Sequence, residues 1–563
     1  MELAEKVINR QSALQQERQK FEKIWKETAE RLDPFGSILE GKMGDMSKMY
    51  SSRPLQDLAR FAAAIESLLI PRGSIWHGLM PMDDELKEND EVQAWAEARA
   101  KKLFSVRYMA QSGFVANTQR MFRSLGCYGN QVLMTEEVLS RGPGGEDLPP
   151  IRYRMIPIIE CFLATTAWGQ VDTFYRVYKL TLRQIIQEFG TENLPEFLRM
   201  RMDRPDQLEE KFELIHAIDP ALANDTTTQL PWPSVHVLKG HNHVLRQSGY
   251  YELPIHASSF VESDGQAYGW GPGMMALPDI KQLNIMNKTT IAAAEQAVSP
   301  AFATVQKLKR RLNLSANAIN PDLVTDDGRL KIQPIVTGAR PDIGEQLIAK
   351  KQMDISANFY GDLWQILVNK PDMTAYEAAL RAQEKNELIG PPFAKQEEML
   401  ASMVMRENAI LERQAADGII DLPPRPEALQ GRKLSLKFTS PMAKLRRAAE
   451  DVGIQRTLET AAQQAQFDPT IMDNFDHDKI IRARADINGM PADLMRPAEE
   501  VQASRQAKIE AEQQQALAAQ QAQEVDTAGK ALPIMEALGA AGIDPNQIAG
   551  GQIAEGGEEQ FNA

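Results

Sequence analysis

Residues 268–297 read YGWGPGMMALPDIKQLNIMNKTTIAAAEQA. Glycines at 269, 271 and 273 with Pro272 between them spell a tight turn, and a helix is expected directly after it, over Asp279–Val298. Ile280, Leu283, Asn287, Ile291 and Ala294 recur on one helical face, and Asn284, Lys288 and Glu295 mark another. Ala292, Ala293 and Ala294 are small enough to let a neighbouring helix approach closely. A second long helix is expected over Ile343–Leu367, opened by Pro341 and Asp342, with Ile348, Ile355, Phe359, Leu363 and Ile366 as its stripe. Such a helix is a rod of roughly 37 Å. Between the two, residues 299–341 break into turns and short strands (Phe302–Val305 and Leu330–Val336), with Asp326-Asp327-Gly328 as a hairpin turn.

Upstream, Glu2–Leu32 reads as one amphipathic helix: Val7, Leu14 and Phe21 recur at heptad spacing, Trp25 and Leu32 extend the stripe, and Asp33-Pro34-Phe35-Gly36 ends it. Helices are expected at Leu55–Ile70, Glu91–Ser112 and Phe114–Gly126. Short strand-like runs split by Gly and Pro then predict strands at Gln131–Glu137, Ile151–Pro157, Glu160–Thr165, Val171–Val177, Phe212–Ala217, Ser234–Leu238, Val244–Ser248, Tyr250–Leu253 and Ser258–Val261, with a short helix at Thr181–Phe189. Residues 1–265 therefore read as an α+β domain.

Downstream, Val368-Asn369-Lys370-Pro371-Asp372-Met373 is a loop. Thr374–Asn408 is helical in pattern, although Gly390-Pro391-Pro392 is expected to kink or break it. Leu434–Thr439 reads as a strand, and Lys444–Gln466, Met472–Asn488 and Ala498–Val525 as helices. The last is rich in Gln, Ala and Glu and needs a partner to bury anything, while 526–563 is an acidic, Gly-rich tail whose composition predicts disorder.

The net charge is −14, which argues against a conventional nucleic-acid binder. The charge is uneven. Residues 301–340 hold seven Lys/Arg against three Asp, whereas 499–563 hold eleven Asp/Glu against three Lys/Arg. The two cysteines, Cys127 and Cys161, have no zinc or disulfide spacing and fit a reducing compartment. The best apolar run, Phe61–Ile70, is too short to span a bilayer, so no membrane role is expected.

Catalytic patterns fail where chemistry needs them. Gly36–Met43 approaches a phosphate loop, but Met43 cannot ligate magnesium and a helix precedes it where a strand is required. His236, His241 and His243 lack a Cys or carboxylate to complete a metal site and are read as exposed loop histidines. Asp473–Asp478 lacks the Gly and Glu of a calcium loop. Gly269–Gly273 is a better turn than phosphate cradle, because Pro272 lacks an N–H. No cofactor, metal or enzymatic activity is expected. Two long helices flanking a basic excursion, without a catalytic constellation, suggest a subunit that lines a channel in a ring.

Four stretches then carry a resemblance. They are Pro54-Leu-Gln-Asp-Leu-Ala-Arg-Phe-Ala62 running into Leu69-Ile-Pro-Arg-Gly-Ser-Ile-Trp76; Tyr268–Gly273 with Leu277–Asn284; Met373-Thr-Ala-Tyr-Glu377; and Phe438-Thr-Ser-Pro-Met-Ala-Lys-Leu-Arg446, leading to Phe467-Asp-Pro469 and Asp476-His-Asp478. In that order and spacing the chain resembles the head-to-tail connector (portal) proteins of short-tailed tailed bacteriophages over residues 1–525. The resemblance implies a mainly α fold with an α+β wing at 1–265, a first stem helix within 266–298, a clip at 299–341 and a second stem helix within 342–367. It further implies a tunnel loop at 368–373, a wing helix and strand at 374–440, and a crown and helical barrel at 441–525. It implies a homo-oligomeric ring, usually of twelve, at one capsid vertex. Double-stranded DNA passes through the ring during packaging and ejection, and a packaging ATPase (terminase), tail adaptor and tail proteins, capsid and scaffolding protein dock on it. The virion is the implied location, with assembly in the host cytoplasm.

Under that resemblance Val368, Asn369, Lys370, Pro371, Asp372 and Met373 would face DNA, with Lys370 steadying the duplex. Lys307, Lys309, Arg310 and Arg311 would meet an acidic partner. Asn284, Lys288, Glu295, Lys350, Lys351 and Asp354 would mark the stem. The rival readings are another virion structural protein (a tail adaptor or internal core protein), a packaging enzyme, which would need a working nucleotide loop, and a cytosolic scaffold, which would need long heptads.

Overall fold

The computed structural model describes residues 2–35, 49–87, 89–138, 148–304, 310–336 (except 322 and 326), 338, 341–361, 375–488 and, in short pieces, 490–519. It divides into two units, 1–490 and 491–563. In the second, the described part is mainly a helix over 500–519 that is largely exposed.

The first unit is built from α1 (Glu2–Leu32), α2 (Arg53–Leu69), α3 (Asp90–Arg107), α4 (Phe114–Tyr128), α5 (Leu182–Phe189), α6 (Leu277–Val298), α7 (Pro341–Asn358), α8 (Ala375–Ala416), α9 (Pro441–Gln464) and α10 (His477–Asn488). Its strands are β1 (His77–Pro81), β2 (Asn130–Glu137), β3 (Ile151–Met155), β4 (Cys161–Thr165), β5 (Val171–Thr181), β6 (Lys211–Ile218), β7 (Trp232–Leu238), β8 (His243–Tyr250), β9 (Ile255–Ser259), β10 (Phe302–Thr304), β11 (Ile332–Pro334) and β12 (Leu434–Phe438).

All the sheets are antiparallel: β4-β5-β6-β7-β8, β3-β2-β9, β1-β12 and β10-β11. This is the mainly helical, α+β-containing class expected. Local chemistry sets the element ends. Acidic Glu2 and Glu5 open α1 and Arg31 closes it, matching the helix dipole. Thr181 and Gln184 cap α5 reciprocally: Gln184 N donates to Thr181 Oγ1 at 3.3 Å, and Thr181 N to Gln184 Oε1 at 3.0 Å.

The predicted stripe of α1 serves two cores. Val7 and Leu14 pack with Phe162, Tyr175, Ile215 and Val235 of the five-stranded sheet. Phe21, Trp25 and Leu32 join the main core with α2, α4, β2 and the C-terminal part of α8. Each fully buried large apolar side chain contributes about 1.5–3 kcal/mol, so this one helix ties the sheet to the main core. Strand β12 then returns to pair with β1, His77 opposite Phe438, and closes the body across more than three hundred residues.

Five expectations need correction. His236 is not an exposed loop residue; it is buried in β7 and stacks on His216 at 4.0 Å between ring centroids. The helix expected over Thr374–Asn408 runs to Ala416, and of the kink or break expected at Gly390-Pro391-Pro392 the break does not occur. A proline inside a helix costs about 3 kcal/mol, and burial of Phe393, Met399, Leu400, Met403 and Val404 immediately beyond offsets it. The rod expected over 343–367 ends at Asn358, and Tyr360 is left-handed at φ 60°. Tyr250 ends β8, so 250–253 is not a separate strand. Pro469–Asn474 is a 3-10 turn, and the following helix starts at His477.

Candidate functional site

The glycine turn is a close-packed joint. A Cβ on Gly129 would lie 2.4 Å from Gly271 N, and one on Gly269 would lie 2.1 Å from Val261 O. Backbone therefore meets backbone where α4 ends, and Gly129 also needs its φ of 72°. Asn130 locks the turn: Gly269 N donates to Asn130 Oδ1 at 2.9 Å, and Asn130 Nδ2 donates to Gly269 O at 3.1 Å. Tyr268 and Trp270 meet Phe21, and Tyr268 also meets Trp25 edge-on at 5.4 Å. The base of α6 is thereby fixed to α1, to which Lys281 adds an ion pair with Glu27.

Helices α6 and α7 pack together and run antiparallel. Lys351 Nζ bonds Asp279 at 2.7 Å near the base, while a Cβ on Gly344 would sit 2.5 Å from Thr290 Oγ1 further out. Lys351 also lies 3.7 Å from Asp354. Asn284 faces its own chain, accepting from Tyr50 N at 3.1 Å, and Lys288 lies 5.9 Å from the Tyr50 ring. Glu295 and Lys350 are exposed.

The base of α7 is buried through Ile355 and Phe359. There Arg53 Nη2 donates to Ser356 Oγ at 3.0 Å and also pairs with Asp57 at 2.9 Å. Beyond the base the pair stops burying anything. On α6 only Leu277, Ile280 and Leu283 are buried, while Ile285, Ile291 and Val298 are exposed, Val298 by 87%. Ile343, Leu347 and Met353 of α7 are exposed too.

The excursion between them carries a β10-β11 ribbon and a Val324–Leu330 bridge, with Gly328 at φ 76° supplying the turn. Among its described residues Ile332 is buried, whereas Leu314, Ile319, Val324, Leu330, Ile335 and Val336 face solvent. Arg310 and Arg311 are exposed; Lys307 and Lys309 lie outside the described residues, as do Val368, Asn369, Lys370, Pro371, Asp372 and Met373.

The segment after those loop residues is anchored by a buried polar network that hydrophobic periodicity could not reveal. Arg107 pairs with Glu407 and contacts His77 Nε2 at 2.7 Å, with both Arg107 and Glu407 fully buried. Burial works against the Arg107 charge, but Glu407 and Tyr153 outweigh it and raise its pKa. Burial, then Arg107, holds His77 well below its ordinary value. Arg406 donates to Thr135 Oγ1 at 3.0 Å and to Glu252 O at 2.6 Å, and Arg413 reaches Glu137 and Glu252. The signal available in sequence was only Arg406-Glu407-Asn408 inside an apolar helical run.

Among the described residues, no group of three or more His, Cys, Asp or Glu could hold a metal ion, and no helix is long and apolar enough to cross a membrane. The geometry is that of a packed body carrying an under-buried antiparallel helix pair.

Residues 4–495 match the family model described as "Bacteriophage head to tail connecting protein". The chain is 27% identical over 556 residues to the "Probable portal protein" of Bordetella phage BPP-1, covering 93% of this chain and 94% of the relative. It is 25% identical over 536 residues to the "Portal protein" of Salmonella phage epsilon15, covering 92% and 93%. Among solved structures, a chain of the virion of a native gene transfer agent particle superposes with TM-score 0.36 at 12% identity, covering 75% of this chain and 91% of that one. A chain from the neck of the native particle gives TM-score 0.35 at 13% identity, covering 73% and 88%. Both superpositions are too loose to transfer any feature. The match over nearly the whole sequence is decisive: the chain belongs to the bacteriophage head to tail connecting protein family.

Proposed function

We propose that this chain is a portal subunit: identical copies close into a ring at one capsid vertex, and viral double-stranded DNA passes through the bore during packaging and ejection. The observation that carries the reading is the α6–α7 pair, held at its base and stripped of burial along its outer part. An exposed apolar helix pair is stabilised when a neighbouring copy covers it, and a heterologous contact that closes on itself yields a ring. The family membership and the portal relatives support the same role.

The physics suits passive conduction. Lys/Arg contacts to phosphate are strengthened by counterion release and would stall sliding DNA. A subunit of net charge −14 repels the duplex within a screening length of about 8–10 Å. Lys370 in the 368–373 loop steadies the duplex against that field. The ring supplies geometry, and a separate packaging ATPase supplies work. The basic excursion, with Arg310 and Arg311, fits an acidic surface on that ATPase or on a tail adaptor, and charge complementarity there sets encounter rate and register.

The purified full-length protein should sediment as a high-mass ring, usually of twelve copies, and substitutions at Asp372 and its neighbours should impair DNA packaging or retention without reducing ring yield. A chain that stays monomeric at high concentration contradicts the proposal. Loss of rings on substituting the loop would make that loop an assembly element instead.

A further inference from the structure

The α9 helix and the 3-10 turn after it share an anomaly. Over the described side chains of its 24 residues, α9 buries only Met442 and Ala461. Met442 and the Asp451–Arg484 pair hold it to its own chain, and most of its remaining described surface is exposed or half-buried. A groove of about 390 Å³ lies between it and the 3-10 turn. Ala461, Ile471 and Phe475 give the groove an apolar floor, and Arg456, Thr457 and Gln464 sit on its rim. At the turn that closes α9, Phe467 is 92% exposed, with Asp468 exposed beside it. Hydrogen bonds from the Thr470 side chain and N–H lower the Asp468 pKa, so it is a carboxylate at neutral pH.

We propose that the groove is filled by Phe467 of a second copy of this chain, with the neighbour's Asp468 meeting Arg456 on the rim. The match is one of shape and charge. A single, almost wholly exposed aromatic ring flanked by an anion faces an apolar groove flanked by a guanidinium. Trp168, as exposed as Phe467, has no such adjacent charge: the stretch Leu163–Val171 around it is uncharged. In the proposed contact each copy inserts its Phe467 into one neighbour and receives the Phe467 of the other, a heterologous arrangement that propagates from copy to copy, as a ring requires. The inference rests on the ring reading and adds the side chains that join neighbours at this level.

The test uses full-length protein with single cysteines introduced into separate chains. Native Cys127 and Cys161 are both buried and do not interfere. Phe467→Cys protein is mixed with Thr457→Cys protein before assembly, so a disulfide between the two can arise only between copies. A dimer band from the mixture, absent from either variant alone, is the expected result. Phe467→Asp should lower ring yield by about tenfold or more, the loss expected when a hot-spot aromatic is replaced. Its melting temperature should not move, because the side chain is almost wholly exposed. Rings that form without the mixed disulfide, and at full yield in Phe467→Asp, overturn this contact and leave the ring reading standing. Absence of rings in the unsubstituted protein overturns both.

Discussion

Helices α1 and α6 are both long and both enter the main core, yet they are buried differently. The α1 stripe is buried from Ala4 to Leu32, whereas α6 is buried at Leu277, Ile280 and Leu283 and then runs exposed to Val298. The first belongs to a body that folds on its own contacts. The second belongs to a part that its own chain leaves uncovered and that, on the proposed reading, neighbouring copies cover. That contrast separates substitutions that unfold the chain from substitutions that leave it folded and unassembled.

The largest effect on the body should come from its buried charges. Glu407→Ala strands Arg107 without its partner, which costs about 3–5 kcal/mol, and chemical denaturation should show the loss directly. Next is the joint at the base of α6. Gly129→Ala forces a Cβ to within 2.4 Å of Gly271 N at a φ of 72°, and a strained clash of this kind costs about 2–3 kcal/mol. If either change left stability intact, the body would not be self-sufficient in the way described.

A smaller effect follows from the buried histidines. Burial lowers the pKa of His216, and that of His236 and His256 to about 3, with nearby arginines adding to each shift. These groups are neutral when folded, so the unfolded chain binds more protons once pH falls below its ordinary histidine value. Their contribution is complete above about pH 6.5 and declines toward the folded values, by up to about 1.4 kcal/mol per pH unit for each histidine. His256→Gln should therefore flatten the fall in melting temperature between pH 6 and pH 4; an unchanged slope would remove His256 from this account. The smallest effect on folding belongs to the outer part of the α6–α7 pair. Ile285→Asn with Leu347→Asn should shift monomer stability by less than about 0.5 kcal/mol each and still reduce ring yield. A large loss of stability would mean that these side chains serve the chain's own core.

Legibility in the sequence follows the same division. Helix α1 was readable to its last residue because its burial is periodic, and the strands of the five-stranded sheet were readable because they are short apolar-rich runs punctuated by Gly and Pro. Distant partners decide the features that were missed. His236 is buried because His216, twenty positions away on the neighbouring strand β6, lies opposite it and stacks on its ring. Helix α8 passes Pro391 and Pro392 because residues from β2, β3 and β9 clasp its far half. The break at Tyr360 goes with Phe359 and Tyr360 packing against Phe61 and Phe260. The glycine turn was identified as a turn, but the identity of its opposing surface, Gly129, depends on tertiary contact alone.

A single-particle electron-microscopy reconstruction of the purified full-length protein tests the central claim most directly. The account predicts annular particles with an open axial hole, in which the α6–α7 pair of each copy lies against that of the next. Solitary compact particles at high protein concentration, or rings in which α6 and α7 lie away from the subunit contacts, would contradict it.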